Sequence, residues 1–145
     1  MKILIFIFSL LLSMNLFAVE SSPHGNIVMT MDNFHNDEGS VLVTLFSSSD
    51  GFPDRPKKAI KNLQAEIREG KLKVFFSNIP YGIYAVAVLH DENGNGEMDT
   101  NWVGMPKEGY GVSNDAKASF GPPKYKDAKF SLEAKELPLH IIIRY

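Results

Sequence analysis

The chain has 145 residues, with 15 Lys and Arg against 17 Asp and Glu, a formal net charge of −2 at pH 7, and no cysteine. This acidic balance argues against a nucleic-acid partner, because nucleic acids bind basic surfaces. Without cysteine no disulfide can staple the fold, so stability must come from the hydrophobic core or from a bound ion.

Residues 1–18 have the layout of a secretory signal peptide. Lys2 provides a charged start, an apolar run follows from residue 3 to residue 12, and the segment ends in the small residue Ala18. The run is far shorter than the roughly 20 apolar residues of a membrane-spanning helix. We therefore expect cleavage after Ala18, export through the Sec route to the periplasm or the exterior, and no transmembrane helix in the mature form. Residues 19–145 would be a single domain with a formal charge of −3, because the leader contains one Lys and no acid.

After the leader, apolar and polar residues alternate with a period of two, which is typical of strands buried on one face. The predicted strands contain, in chain order, NIVMTM (26–31), SVLVTLF (40–46), QAEI (64–67), LKVFF (72–76), GIYAVAVLH (82–90), DAKFSLEA (127–134) and LHIIIRY (139–145). We expect a hairpin around Glu69 and Gly70, and a central position for residues 82–90, which are apolar on both faces. About seven strands predict an all-β fold, an antiparallel two-sheet β-sandwich.

The segment from Asn101 to Asp127 interrupts this pattern. Irregular segments of this length tend to be either functional or disordered, and its aromatic content favours an ordered loop. We predict that this loop forms the functional face, with Trp102 and Tyr110 as contact residues for a glycan or peptide ligand, because both side chains combine flat apolar area with a polar edge. The alternative is that Trp102 is a lid that closes the end of the sandwich.

Two segments carry a family resemblance, NIPYGIYAVAVLHDENGNGEMDTNWVGMPKEGYGVSN at residues 78–114 and FGPPKYKDAKF at residues 120–130. Together with GNIVMTM near the start and the closing LPLHIIIRY, they resemble the bacterial family of exported proteins called domain of unknown function 2141. The resemblance implies a small exported β-sandwich, similar to transthyretin-like and carboxypeptidase-regulatory-like domains. It implies no activity, so function has to be argued from the residues themselves.

The stretch HDENGNGEMDTNWVG, residues 90–104, places oxygen-bearing groups at alternate positions. Counted from Asp91, these fall at positions one, three, five, seven and nine, with a glycine at six; they are the side chains of Asp91, Asn93, Asn95 and Asp99 and the backbone carbonyl of Glu97. This is the beginning of a calcium loop, because a hard cation takes six to eight oxygens and the glycine permits the bend. Position twelve holds Trp102 instead of a bidentate acid. We therefore expect a weak calcium site, with a dissociation constant on the order of 10⁻⁴ to 10⁻³ M, to which Glu108 could add a ligand.

A plain turn is the alternative interpretation of the same stretch. Asn93-Gly94 and Asn95-Gly96 are turn dipeptides, and Asx turns at these residues would need no ion. We favour the cation, because the neighbouring carboxylates of Asp91 and Asp99 repel each other unless a positive charge lies between them.

No catalytic residue is predicted, since the four histidines are scattered and neither GxSxG nor HExxH occurs. The alternative function is a small periplasmic hydrolase in which His90 works with neighbouring acids. The ending IIIRY, however, departs from the Tyr-Arg-Gly-Ser arrangement of the transthyretin-like hydrolases, and His90 continues the alternation of its strand. The sequence therefore favours a non-catalytic binding or structural module of the bacterial cell envelope, and leaves its oligomeric state open.

Overall fold

A computed structural model describes residues 23–145 as two β-sheets that share one hydrophobic core. The predicted signal peptide, residues 1–18, lies outside the described residues. Within residues 23–145, no helix is both long enough and apolar enough to cross a membrane. The prediction of an all-β sandwich is confirmed, and residues 23–145 contain eight strands in place of about seven.

The strands are, in chain order, β1 His24–Asp32, β2 Ser40–Phe46, β3 Lys61–Ala65, β4 Leu72–Pro80, β5 Gly82–Asp91, β6 Gly109–Val112, β7 Phe130–Leu132 and β8 Glu136–Ile142. A short helix, α1, spans Tyr125–Ala128, and 3₁₀ turns lie at Pro56–Lys58 and Ser113–Asp115. The smaller sheet has the strand order β4-β1-β8, and the larger has the order β3-β2-β5-β6, with β7 also paired to β5.

Among the eight described strands, all pairs are antiparallel except β1 and β8, which run parallel with Ile27 opposite Leu137. The prediction of antiparallel sheets therefore holds for every pair but this one. The chain reaches β8 from β7 in the other sheet, so no tight turn imposes the antiparallel direction. Because β8 is an edge strand, it accommodates Pro138, which has no N–H to donate to a neighbour.

The core lies between the sheets and follows the predicted period of two. Its fully buried side chains include Ile27, Met29 and Met31 of β1 and Val41, Val43 and Leu45 of β2. β5 is central, as predicted, with β2 on one side and β6 and β7 on the other. The outer face of β5 is covered by a second cluster, in which Ala85 and Ala87 pack with Phe46, Val112 and Ala128.

The predicted hairpin around Glu69 and Gly70 is instead a turn between the two sheets. β3 pairs with β2, β4 pairs with β1, and only Arg68 and Lys71 exchange backbone hydrogen bonds, at 3.0 and 3.1 Å. The carboxylate of Asp37 accepts the N–H groups of Glu69 and Gly70, both at 2.9 Å, and holds the turn. The alternation of the sequence thus predicts both strands but not that they separate into different sheets.

The segment from Asn101 to Asp127 is not the continuous loop that the sequence predicts, because it contains β6 and the beginning of α1. The sequence does not predict β6, because two of its four residues are glycines, which have no side chain and so cannot contribute to an alternation of apolar and polar residues. Both glycines allow close packing: a Cβ on Gly109 would lie 2.6 Å from the ring of Tyr145, and one on Gly111 would lie 2.7 Å from Ile141.

Candidate functional site

The candidate site begins where β5 ends. From Asp91 the chain forms the Asx loop, residues 91–99, and then a small hairpin, residues 99–107, before it returns as β6. The side chain of Asp91 is buried, and its Oδ1 accepts hydrogen bonds from the N–H groups of Gly94 at 2.8 Å and Asn95 at 3.2 Å. Its Oδ2 accepts the N–H of Gly96 at 2.8 Å. Asp91 therefore organises the loop from within.

The amides of Asn93 and Asn95 complete the Asx loop. Their Oδ1 atoms accept the backbone N–H groups two residues further on, at 3.0 and 2.8 Å, which are the hydrogen bonds of Asx turns. Their Nδ2 atoms both donate to the carboxylate of Asp99, that of Asn95 at 3.1 Å. Four of the five predicted metal residues are thus joined by side-chain hydrogen bonds, while Glu97 takes part through its backbone N–H.

Glu108 closes the loop from the far side. Its side chain is buried, with Oε1 accepting the N–H of Glu92 and Oε2 accepting the N–H of Asp99, both at 3.0 Å. None of the ion pairs in residues 23–145 involves Asp91, Asp99 or Glu108. The three carboxylates are therefore held by N–H donors, and no Lys or Arg among the described residues forms an ion pair with them.

In the part of the chain that the structure describes, no three His, Cys, Asp or Glu side chains converge as a metal-binding group. A cation at the Asx loop would have to take many of its oxygens from amide side chains and backbone carbonyls. Hard cations such as calcium accept such ligands. The calcium site stays a prediction, and the Asx turns that the alternative interpretation requires are present.

The hairpin carries an apolar tip into solvent. Its two arms are joined by hydrogen bonds from the N–H of Lys107 to the carbonyl of Asp99, at 2.8 Å, and from the N–H of Asn101 to the carbonyl of Met105, at 2.9 Å. At the tip, Trp102 is 96% exposed, and Val103 and Met105 are more than half exposed. The alternative that Trp102 closes the end of the sandwich therefore does not hold.

Tyr110, the second predicted contact residue, lies on β6 rather than on the tip of a loop. Its side chain is half-buried, and its backbone exchanges two hydrogen bonds with Arg144, both at 2.8 Å. The role of Tyr110 in ligand contact stays a prediction, because its hydrogen bonds to Arg144 also give it a structural role.

His90, the base of the alternative hydrolase, is fully buried. Its Nε2 lies 2.8 Å from the backbone carbonyl of Glu38, so this nitrogen carries the proton, and its Nδ1 lies 2.6 Å from the hydroxyl of Tyr145. Burial raises the pKa of the Tyr145 hydroxyl, which stays protonated at neutral pH and can donate to Nδ1. With both nitrogens engaged and no exposed surface, His90 does not favour the hydrolase alternative.

The family model described as "Uncharacterized protein conserved in bacteria (DUF2141)" matches residues 29–140. The chain belongs to this family. The match includes most of the sandwich, the Asx loop and the hairpin, and it confirms the family resemblance of the sequence. The likeness to transthyretin-like domains stays a prediction. No curated protein and no solved structure matches the chain.

In this DUF2141 chain, the residue that sequence reasoning misses at the site is Asn101. Its Oδ1 accepts the N–H groups of Val103 and Met105, both at 3.0 Å, and so fixes the turn that presents Trp102. Asn followed three residues later by Gly, as in Asn101 to Gly104, is the turn signal that could have found it. Ser113 is structural, because its buried Oγ accepts the N–H of Val86 and donates to the carbonyl of Ala128.

Proposed function

We propose that the protein is an exported, non-catalytic β-sandwich module of the bacterial cell envelope that binds a glycan or a peptide through the tip of the hairpin. The observation that carries this proposal is the 96% exposure of Trp102 on a turn that the side chain of Asn101 fixes. A flat indole with a polar N–H edge suits a sugar ring or a peptide. Because the turn is already formed, little conformational entropy is lost when a ligand binds.

Asp99 connects the hairpin to the Asx loop. Its backbone carbonyl accepts the first hydrogen bond of the hairpin, from Lys107, while its carboxylate accepts the amides of Asn93 and Asn95. A weakly bound calcium ion would take the place of these amide nitrogens at the carboxylate. In that arrangement the ion fixes the base from which Trp102 projects, so ligand binding weakens when calcium is withdrawn.

Screening the purified mature domain against glycan and peptide arrays, followed by titration of the best ligand, tests the binding role. Trp102→Ala is expected to abolish binding while the unfolding midpoint stays close to that of the wild type. Phe120→Ala is the matched control, because Phe120 is an aromatic residue with the same 96% exposure on another loop. Equal affinities for the wild type and Trp102→Ala would show that the hairpin tip is not the contact surface.

Thermal unfolding in chelator and in several millimolar calcium tests the cation. A ligand present at 100 times its dissociation constant adds about 2.7 kcal/mol to stability if it binds the folded state alone. Asp99→Asn is expected to remove most of this gain. Glu97→Gln, which keeps the carbonyl proposed as a ligand and changes only an exposed side chain, should retain it. A midpoint that does not respond to calcium leaves the Asx turns as the sole role of the loop.

Export is proposed from the layout of residues 1–18. N-terminal sequencing of the protein from envelope and culture fractions of its native host should give a chain that begins near Val19. A mature protein that retains Met1 contradicts export.

A further inference from the structure

The Asx loop contains two Asn-Gly pairs, Asn93-Gly94 and Asn95-Gly96, and all four residues are exposed. In such a pair the backbone nitrogen of glycine can attack the side-chain amide of the preceding Asn, because glycine has no Cβ to hinder the approach. From the contacts of the loop we infer that Asn93 and Asn95 are deamidation sites, and that Asp91 holds back their reaction in the folded protein.

The reaction is an exchange of an amide for a carboxylate, with water as the co-reactant. The glycine nitrogen loses its proton to solvent and forms a bond to Cγ of Asn, and the Cγ–Nδ2 bond breaks, so that ammonia leaves with a proton. A five-membered succinimide remains. Water then opens one of its two carbonyls, which gives Asp or isoaspartate, and no oxidant or reductant is needed.

Asp91 restrains the two attacking nitrogens. The N–H of Gly94 donates to Oδ1 of Asp91 and the N–H of Gly96 donates to Oδ2, both at 2.8 Å. A hydrogen bond to a carboxylate stabilises each N–H, and the negative charge of Asp91 disfavours the loss of its proton. One buried carboxylate therefore protects both Asn-Gly pairs.

The attacked carbons are restrained as well. The side chain of Asn93 is anchored at both ends, with Oδ1 on the N–H of Asn95 and Nδ2 on the carboxylate of Asp99, and that of Asn95 is anchored in the same way by Glu97 and Asp99. Each side chain must break two hydrogen bonds before Cγ can turn toward the glycine nitrogen. The folded loop thus opposes both partners of the reaction.

The product changes the electrostatics of the loop. In the unmodified chain both amide nitrogens donate to Asp99. Deamidation replaces such a donor with a carboxylate facing another carboxylate, and this repulsion is relieved by a divalent cation. A deamidated loop should therefore depend on calcium more than the unmodified loop. This consequence rests on the proposed calcium site, whereas the deamidation itself does not.

Peptide mapping by mass spectrometry, after incubation at mildly alkaline pH, tests the inference. The samples are the folded wild type, the wild type in urea, Asp91→Asn and Asp37→Asn. Asp37 is the matched control, because its carboxylate also accepts two backbone N–H groups, those of Glu69 and Gly70, in a turn without an Asn-Gly pair. All samples are compared at the same temperature and pH.

We expect slow deamidation of Asn93 and Asn95 in the folded wild type and in Asp37→Asn. In Asp91→Asn the reaction should be about tenfold faster, as when a restraint worth one hydrogen bond is lost. It should stay slower than in urea, where the hydrogen bonds of the two Asn side chains are lost as well. Equal rates for the folded and urea-unfolded wild type overturn the inference, whether or not Asp91→Asn folds. Equal rates for folded wild type and folded Asp91→Asn overturn the role of Asp91.

Calcium titration of Asn93→Asp and of Asn95→Asp separates the two proposals. Each variant carries the carboxylate that deamidation would produce, and its unfolding midpoint should rise with calcium more than that of the wild type. If neither variant responds to calcium, the proposed cation site fails, and the deamidation rates still decide the present inference.

Discussion

The hydroxyl of Tyr145 lies 2.6 Å from Nδ1 of His90, which joins the segment after β8 to the end of the central strand β5. The same hydroxyl accepts the N–H of His35 at 3.1 Å, and the Tyr145 ring stacks on the ring of His35 with centroids 3.5 Å apart. Since β8 belongs to the smaller sheet and β5 to the larger, this contact ties the two sheets together beside the Asx loop.

Tyr145→Phe should destabilise the protein. The substitution keeps the ring but removes the hydroxyl from the buried Nδ1 of His90, whose other neighbour, Oε1 of Glu92, lies 3.7 Å away, beyond hydrogen-bond distance. An unsatisfied buried polar group costs about 1–3 kcal/mol. The measurement is the free energy of unfolding from urea denaturation monitored by circular dichroism.

Tyr81→Phe is the matched control, because the hydroxyl of Tyr81 makes no hydrogen bond to the described residues. Its effect should stay within about 0.5 kcal/mol, because the half-buried ring stays in place and no hydrogen bond is lost. If Tyr145→Phe lowers the free energy of unfolding no more than Tyr81→Phe does, the Tyr145 hydroxyl does not stabilise the contact between the two sheets.

Glu108→Gln should also destabilise the protein. Both carboxylate oxygens of buried Glu108 accept backbone N–H groups, from Glu92 and Asp99. Gln offers one acceptor, and its NH₂ would face the other N–H, so one donor is left unpaired at a cost of about 1–3 kcal/mol. Urea denaturation measures the loss. The exposed Glu97 supplies the control Glu97→Gln, and similar values for both variants would contradict the role of Glu108 in closing the loop.

The sequence predicts those parts of the fold that are encoded locally. In β1 the alternation marks Ile27, Met29 and Met31 as the inner face, because burial on one face of a strand is visible residue by residue. Pairing between strands that are far apart in the sequence produces no such pattern. The parallel pairing of β8 with β1 and the separation of β3 from β4 depend on the whole chain, and so the sequence does not predict them.

The candidate site also combines features that neighbouring residues encode with features that depend on distant residues. Asp91, Asn93, Asn95 and Asp99 lie within nine positions, so their grouping in one loop can be predicted from spacing. The link between His90 and Tyr145 spans 55 residues and has no sequence signature. The exposure of Trp102 is decided by the path of the hairpin, which one side chain, that of Asn101, fixes through two backbone N–H groups.

Gly109→Ala should destabilise the contact between β6 and the segment after β8. The added Cβ would lie 2.6 Å from Cζ of Tyr145 and 2.7 Å from Cγ2 of Ile143, closer than packed atoms allow. Overpacking of this kind costs about 1–3 kcal/mol. Gly82→Ala is the control, because the nearest atom to its added Cβ is the Tyr84 hydroxyl at 3.2 Å. Equal unfolding midpoints for the two variants would show that this packing can relax.

Alkaline pH should destabilise the protein through Tyr84, which is buried, and Tyr125, which is half-buried. Burial raises the pKa of Tyr84 and of Tyr125, and for Tyr125 the nearby Tyr84 raises the pKa further. A tyrosine whose pKa is higher in the folded state contributes stability that is complete below the unfolded pKa of about 10. That contribution is lost as the pH rises from there through the folded pKa.

The Tyr84 hydroxyl donates to the carbonyl of Pro80 at 2.8 Å, and ionisation would remove this donor. Spectrophotometric titration of phenolate absorbance should therefore show that the tyrosines ionise at higher pH in the folded protein than in urea. Urea denaturation at several pH values above 9 should show stability falling, with a shallower fall in Tyr84→Phe. Coincident titration curves for the folded and the unfolded protein would show that burial does not hold these hydroxyls protonated.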